Sequence, residues 1–151
     1  PDTLNLSPYL NDVAETAIDS LSPPGEVELD PISGDMCPVR SDHALLIGLI
    51  VGEMVSNAVR FARRSGVRTR LKLTCAPVDE RVEITLSGVG DGASPAFDPE
   101  RDDNLGLGVA KLLVAQLKAT LTLDSGASGP VARLLVPTGF DLAHLDTAGE
   151  A

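Results

Sequence analysis

Tryptophan is absent and aromatic residues make up only 3% of the 151-residue chain, which leaves little from which to build a base-stacking platform for single-stranded nucleic acid. Positive charge is scarce too: 12 Lys and Arg stand against 22 Asp and Glu, a net charge of -10. A general nucleic-acid binder carries a basic face, so the balance argues against that class. Cys37 and Cys75 are the only cysteines, too few for a disulfide framework or a zinc set, and a reducing, cytoplasmic compartment is expected. No apolar run approaches the roughly 20 residues that span a bilayer; the longest, residues 44–51, is too short, so no membrane contact is expected. No signal peptide opens the chain. It starts at Pro1 rather than Met, and is read as a piece of a larger protein.

What is present is a globular composition, 43% hydrophobic, at a length that suits one domain over residues 1–137 with a weakly patterned tail, 138–151. Apolar positions at helical spacing predict a helix over 4–21, with Ser7 and Pro8 as cap and first position and Ser22 to Gly25 as the stop. Residues 27–32 alternate and read as a short edge strand ended by Pro31, with 33–40 a loop. Ser41 and Asp42 are the expected cap of a long helix over 43–63, apolar nearly all round in its first half and therefore buried. Strands are expected over 67–75 and 81–87 as a hairpin with one solvated face. A long glycine-containing loop, 88–104, precedes a second buried helix over 105–118. A second hairpin spans 120–124 and 131–137. Helix, short strand, long helix, hairpin, loop, helix, hairpin is the order of an α+β two-layer sandwich, with a mixed, mostly antiparallel sheet and its helices on one face.

Polar residues inside the long apolar helix are the first chemical signal. Glu53 and Asn57 are spaced i, i+4 and share a face that extends to Arg60 and Arg64. A carboxylate can orient or deprotonate a nucleophile, and an amide oxygen is a hard ligand suited to Mg2+. The same pattern also arises where a helix face simply emerges into solvent. Glycines then flank the long loop, Gly88, Gly90 and Gly92 before it and Gly106 and Gly108 after it. Those at the helix start would let backbone N–H groups approach a phosphate, or would serve an ordinary flexible loop. Arg60, Arg63, Arg64, Arg68, Arg70 and Lys72 form a basic run in an acidic protein, either a solvated surface or a docking patch for an acidic partner or for phosphates.

Taken in order, these segments resemble a known family. The stretch from Gly48 through Glu53, Asn57 and Arg60 to Ala62 looks like the N-box of the GHKL superfamily. Residues 82–90, ending Ser87, Gly88, Val89, Gly90, look like its first glycine box. Residues 97–101 and the run Asn104, Leu105, Gly106, Leu107, Gly108, Val109 look like its lid and second glycine box. The closest resemblance is to the catalytic ATP-binding domain of sensor histidine kinases with short lids, over roughly residues 4–137. The resemblance implies a Bergerat-like ATP-binding fold. It implies Asn57 as the residue that holds Mg2+ on the triphosphate, and Glu53 as a base or water-orienting group. It places Arg60 near the phosphates, Gly88 and Gly90 where backbone passes the nucleotide, and Gly106, Leu107 and Gly108 at the phosphate-side turn. The implied cofactors are ATP and Mg2+. The implied partners are a helical dimerisation and phosphoacceptor domain preceding residue 1, and a response-regulator receiver domain.

Two departures accompany it. The family's first glycine box has an adenine-binding Asp two residues before its first Gly; Leu86 stands there, and an alignment shifted to Gly90 and Gly92 puts Gly88 in that place. Gly52 stands where Asn usually precedes the N-box Glu. His43 and His144, the only histidines, lie in no phosphoacceptor-like context, so the chain alone is not expected to phosphorylate itself. The leading expectation is an ATP-binding kinase domain that delivers the γ-phosphate to a histidine elsewhere. A relative that has lost ATP and serves as a phosphotransfer or docking module is the alternative, and a partner-sequestering ATPase-like protein is a third.

Overall fold

In a computed structural model, residues 2–34, 36–90, 108–126 and 129–138 are described. The element order is β1 (Thr3–Asn5), α1 (Leu6–Leu21), β2 (Val27–Asp30), β3 (Pro38–Arg40), α2 (Ser41–Ser65), β4 (Thr69–Val78), β5 (Arg81–Gly90), α3 (Gly108–Gln116), β6 (Thr120–Gly126) and β7 (Gly129–Pro137). A five-stranded sheet runs β2-β4-β5-β7-β6. β2 joins β4 in parallel and the other three pairings are antiparallel.

Period-two alternation decides which face of the sheet is covered. Leu71, Leu73, Cys75, Val82, Ile84, Leu86, Ala132, Leu134 and Val136 point into one core with Leu6, Leu10, Ile47, Ile50 and Val55 from the helices. Arg70 and Lys72 stand on the solvated face, where Arg133 pairs with Glu83 at 3.2 Å. The two-layer α+β sandwich with a mixed, mostly antiparallel sheet is therefore as expected.

Local boundaries differ, for physical reasons. The expected loop 33–40 ends in β3, which pairs with β1 in a separate two-stranded sheet; strands of three residues are too short to show alternation. Asn5, not Ser7, caps α1, its Oδ1 accepting from Ser7 N at 3.4 Å and from Cys37 N at 2.8 Å. The cap of α2 is Arg40, whose side chain makes no capping hydrogen bond. Asp42 lies in the first turn, held by Arg40 at 2.9 Å, and that guanidinium keeps its carboxyl below the usual range. Gly66 ends α2 at φ 68, a conformation that favours glycine.

By length and composition α2 could cross a bilayer, but 56% of its most apolar stretch is buried inside the domain, as in a core helix. The first hairpin is longer than expected and turns at Asp79, φ 57, and Glu80. Gly88 and Gly90 consequently belong to β5 rather than to the loop. α3 is less buried than its composition suggests: Ala110 is sealed, whereas Val109 and Leu112 are exposed. Thr138, assigned above to the tail, is buried and bonds through its N–H to Glu80 O at 3.1 Å. The expected lid, Gly106, Leu107 and the remaining tail with His144 lie outside the described residues.

Candidate functional site

The site is built on α2. This helix is anchored by Ile47, Ile50, Val51, Met54, Val55, Ala58 and Val59, all buried, so any polar residue between them is held rigidly. Asn57 is such a residue, only 5% exposed. Its Oδ1 accepts a hydrogen bond from Arg60 Nη1 at 3.1 Å. Its Nδ2 is buried with no hydrogen-bond partner among the described residues. A buried amide left half-satisfied costs about 1–3 kcal/mol, and such exceptions call for a cause, often an absent ligand or water.

Glu53 does not follow Asn57 inward. Four residues on an α-helix advance 400°, or 40° past a full turn, and that offset turns Glu53 to the helix edge. There it is half-buried and lines a groove of about 460 Å³ between α1 and α2, with Tyr9, Asp12, Gly52 and Ser56. Gly48 and Gly52 lower that wall of α2. At Gly48 a Cβ would lie 2.8 Å from Cε2 and Cζ of Tyr9, so the present position of that ring requires the glycine. Nothing in the sequence signalled that contact: Tyr9 is one residue of an amphipathic helix.

The strand side is described as far as Gly90. Leu86 is 1% exposed and sits in the core, opposite Leu73 on β4 and Ala132 on β7. It offers no surface to a ligand in this conformation. Gly88 is the next inward-facing position along β5, opposite Leu71; it is also buried. Gly108 begins α3. The structure thus sets Asn57 and Arg60 together on α2 and makes Leu86 a core residue of β5.

The donor set can be compared with Mg2+. Among the described residues no group of three or more His, Cys, Asp or Glu could hold a metal ion. A hard cation that keeps waters and phosphate oxygens needs only one or two protein ligands. Asn57 Oδ1, aligned by Arg60 beside an orphaned amide nitrogen, fits that limited role.

The basic run is divided by its partners. Arg63 pairs with Glu26 at 3.1 Å and donates to Leu21 O at 2.8 Å. Arg70 faces Glu28 at 3.9 Å, and Arg64 lies over the Phe61 ring at 5.9 Å. His43 is in the first turn of α2, its Nδ1 buried without a partner among the described residues. Cys37 and Cys75 are both buried and neither is in a disulfide. A hydrogen bond with Cys37 and burial push the Cys75 thiol up, so it stays protonated.

No family model matches the chain, and no curated protein matches it. Solved structures do. The chain is similar to a blue-light activated histidine kinase of Erythrobacter litoralis at 24% identity and a TM-score of 0.73, over 90% of this chain and 42% of that one. To the histidine kinase domain of that protein it is 25% identical, with a TM-score of 0.68 over 89% and 66% of the two chains. To the ATP-binding domain of PrrB from Mycobacterium tuberculosis it is 21% identical, with a TM-score of 0.64 over 90% and 96%. It also matches, at 16% identity and a TM-score of 0.63, histidine kinase ThkA in a complex with the response regulator protein TrrA, over 91% and 41%. The chain spans less than two thirds of the length of the first two. It has the fold of histidine kinase catalytic domains, as the resemblance of its sequence implied.

Proposed function

We propose that this chain is the ATP-binding catalytic domain of a sensor histidine kinase of the GHKL superfamily, which delivers the ATP γ-phosphate to a histidine on a separate helical domain. A response-regulator receiver domain would then take the phosphoryl group. The observation that carries the reading is Asn57, sealed in the helix that bears the N-box, with its amide half-satisfied and an arginine on its oxygen. Asn57 would offer Oδ1 to Mg2+, and Arg60 would meet the phosphate charge. Gly88 and Gly90 would let the β5 backbone lie close to the nucleotide, and Gly106, Leu107 and Gly108 would supply backbone N–H groups to the phosphates. Glu53, which lines the groove between α1 and α2, would orient or accept a proton at the attacking group. Bound Mg2+ supplies neutralisation of the developing phosphate charge, and the rest of the catalysis is positioning. A cytoplasmic location belongs to the same reading, because ATP and the receiver are met there.

Isothermal titration with ADP and Mg2+ tests it. Heat of binding that disappears in Asn57→Ala supports the reading, and an absence of binding by the wild type overturns it. One observation favours a second reading, a phosphotransfer or docking module without ATP. Leu86 is locked in the core and Gly88 has no side chain, so neither alignment places a carboxylate where adenine is read. A charged hydrogen bond there is worth about 1.5–3 kcal/mol, roughly 10- to 150-fold in affinity. Binding of ADP no better than that of GDP is the outcome expected of a kinase domain weakened in this way.

A further inference from the structure

The pairing of Asn57 with Arg60 implies an order of binding, an inference that rests on the ATP-binding reading above. Arg60 follows Asn57 by three residues, the spacing at which helix side chains meet. An arginine is always charged and carries five N–H donors. Among the described residues Arg60 has no carboxylate partner, whereas Arg40, Arg63, Arg70 and Arg133 each have one. Its recorded acceptor is the neutral Oδ1 of Asn57 at 3.1 Å. That oxygen is also the ligand that the reading above assigns to a divalent cation. A metal bound to it would sit about 2.0–2.1 Å away, against a guanidinium already on the same atom. Two cations cannot share one neutral oxygen cheaply in a site where Asn57 is 5% exposed.

We infer that Arg60 gates Asn57: in the free domain it withholds Oδ1 from divalent cations, and an incoming polyphosphate draws the guanidinium away and frees the oxygen. The attraction is large enough for the exchange. A phosphate can accept two parallel bonds from the guanidinium and carries the opposite charge, whereas the neutral amide oxygen accepts one bond and carries none. Arg60 is exposed enough to swing, while Asn57 is fixed by the packing of α2. Metal therefore enters with the nucleotide, not before it. Arg60 acts here as a positioning residue for Asn57 in addition to contacting phosphate.

Side-chain NMR of the 15N-labelled domain tests the gate without any activity measurement. The Asn57 carboxamide signal is assigned by its loss in Asn57→Ala. In the wild type it should stay in place when MgCl2 alone is added, move with ADP in EDTA but not with adenosine, and move again when MgCl2 follows ADP. In Arg60→Ala the step with metal-free ADP should vanish and the later MgCl2 step should remain. Arg60→Ala should also weaken metal-free ADP roughly 10-fold or more. A wild-type Asn57 signal that moves with MgCl2 alone overturns the gate. So does one that ignores metal-free ADP while backbone signals of β5 respond, and either result leaves the ATP-binding reading standing. No response of any signal to ADP with MgCl2 overturns both.

Discussion

The ring of Tyr9 lies directly on the backbone of Gly48, where a Cβ would come within 2.8 Å of two ring carbons. One turn later Gly52 has only Val13 Cγ1 nearby, at 3.5 Å. Two glycines four residues apart on α2 thus answer to different physics. Gly48→Ala should destabilise by about 1–3 kcal/mol through overpacking, less the fraction of a kcal/mol that alanine returns in helix propensity. Gly52→Ala meets ordinary contact and should stabilise by about 0.5–1 kcal/mol. Urea unfolding of both variants checks the opposite signs. In a Tyr9→Ala background the Gly48→Ala penalty should disappear, since the clash partner is gone.

Asn57→Ala should leave the free domain as stable as the wild type or more so. The substitution removes one bond to an exposed guanidinium and also removes a buried amide N–H2 with no partner among the described residues, whose desolvation costs about 1–3 kcal/mol. Thermal melts of the free protein check this. A clear loss of stability would mean that the amide is a structural member of the core and not a group held ready for a ligand.

Asn5→Ala should cost about 2 kcal/mol or more. Its side chain caps α1 through Ser7 N and also satisfies the N–H of buried Cys37. Loss of a cap alone costs about 0.5–2 kcal/mol, and the Cys37 N–H would be left unpaired as well. Denaturant unfolding gives the value, and Asn5→Asp, which keeps an acceptor, should recover most of it.

The domain should lose stability on the alkaline side through Cys75. The hydrogen bond with Cys37 and burial hold its folded-state pKa far above normal. In the unfolded chain a cysteine titrates near about 8.5. Above that pH the unfolded state binds fewer protons than the folded one, so stability falls as pH rises, by about 1.4 kcal/mol per pH unit for each such thiol. Below that pH the contribution is fully present. Melting temperatures between pH 7 and 10 should fall less steeply in Cys75→Ala than in the wild type.

The layered fold and most of its elements were legible in the sequence because they arise from periodicity. Alternation along 69–75 and 82–86 places one face inward in any arrangement that buries it, and apolar positions nearly all round the first half of α2 mark a buried helix. The spacing of Glu53, Asn57 and Arg60 along one helix was readable for the same reason, since residues three and four apart are neighbours on a helix. What was lost is what depends on distant segments. β1 and β3 exist by pairing with each other across α1, and Asn5 caps its helix while also reaching Cys37, far along the chain.

The candidate site divides along that line. Sequence alone determined which residues carry hard oxygen, positive charge and glycine backbone, because residue type and local spacing suffice for those. Only the tertiary structure decided their environments. It turned Glu53 toward the α1 groove and Asn57 into the interior, although the two are one helical turn apart, because α1 and the sheet cover different arcs of α2. It sealed Leu86 between Leu73 and Ala132. It also left Arg60 on the oxygen of Asn57 with no carboxylate beside it among the described residues. Burial and the pairing of charges are properties of what surrounds a side chain, and a linear sequence does not contain its surroundings.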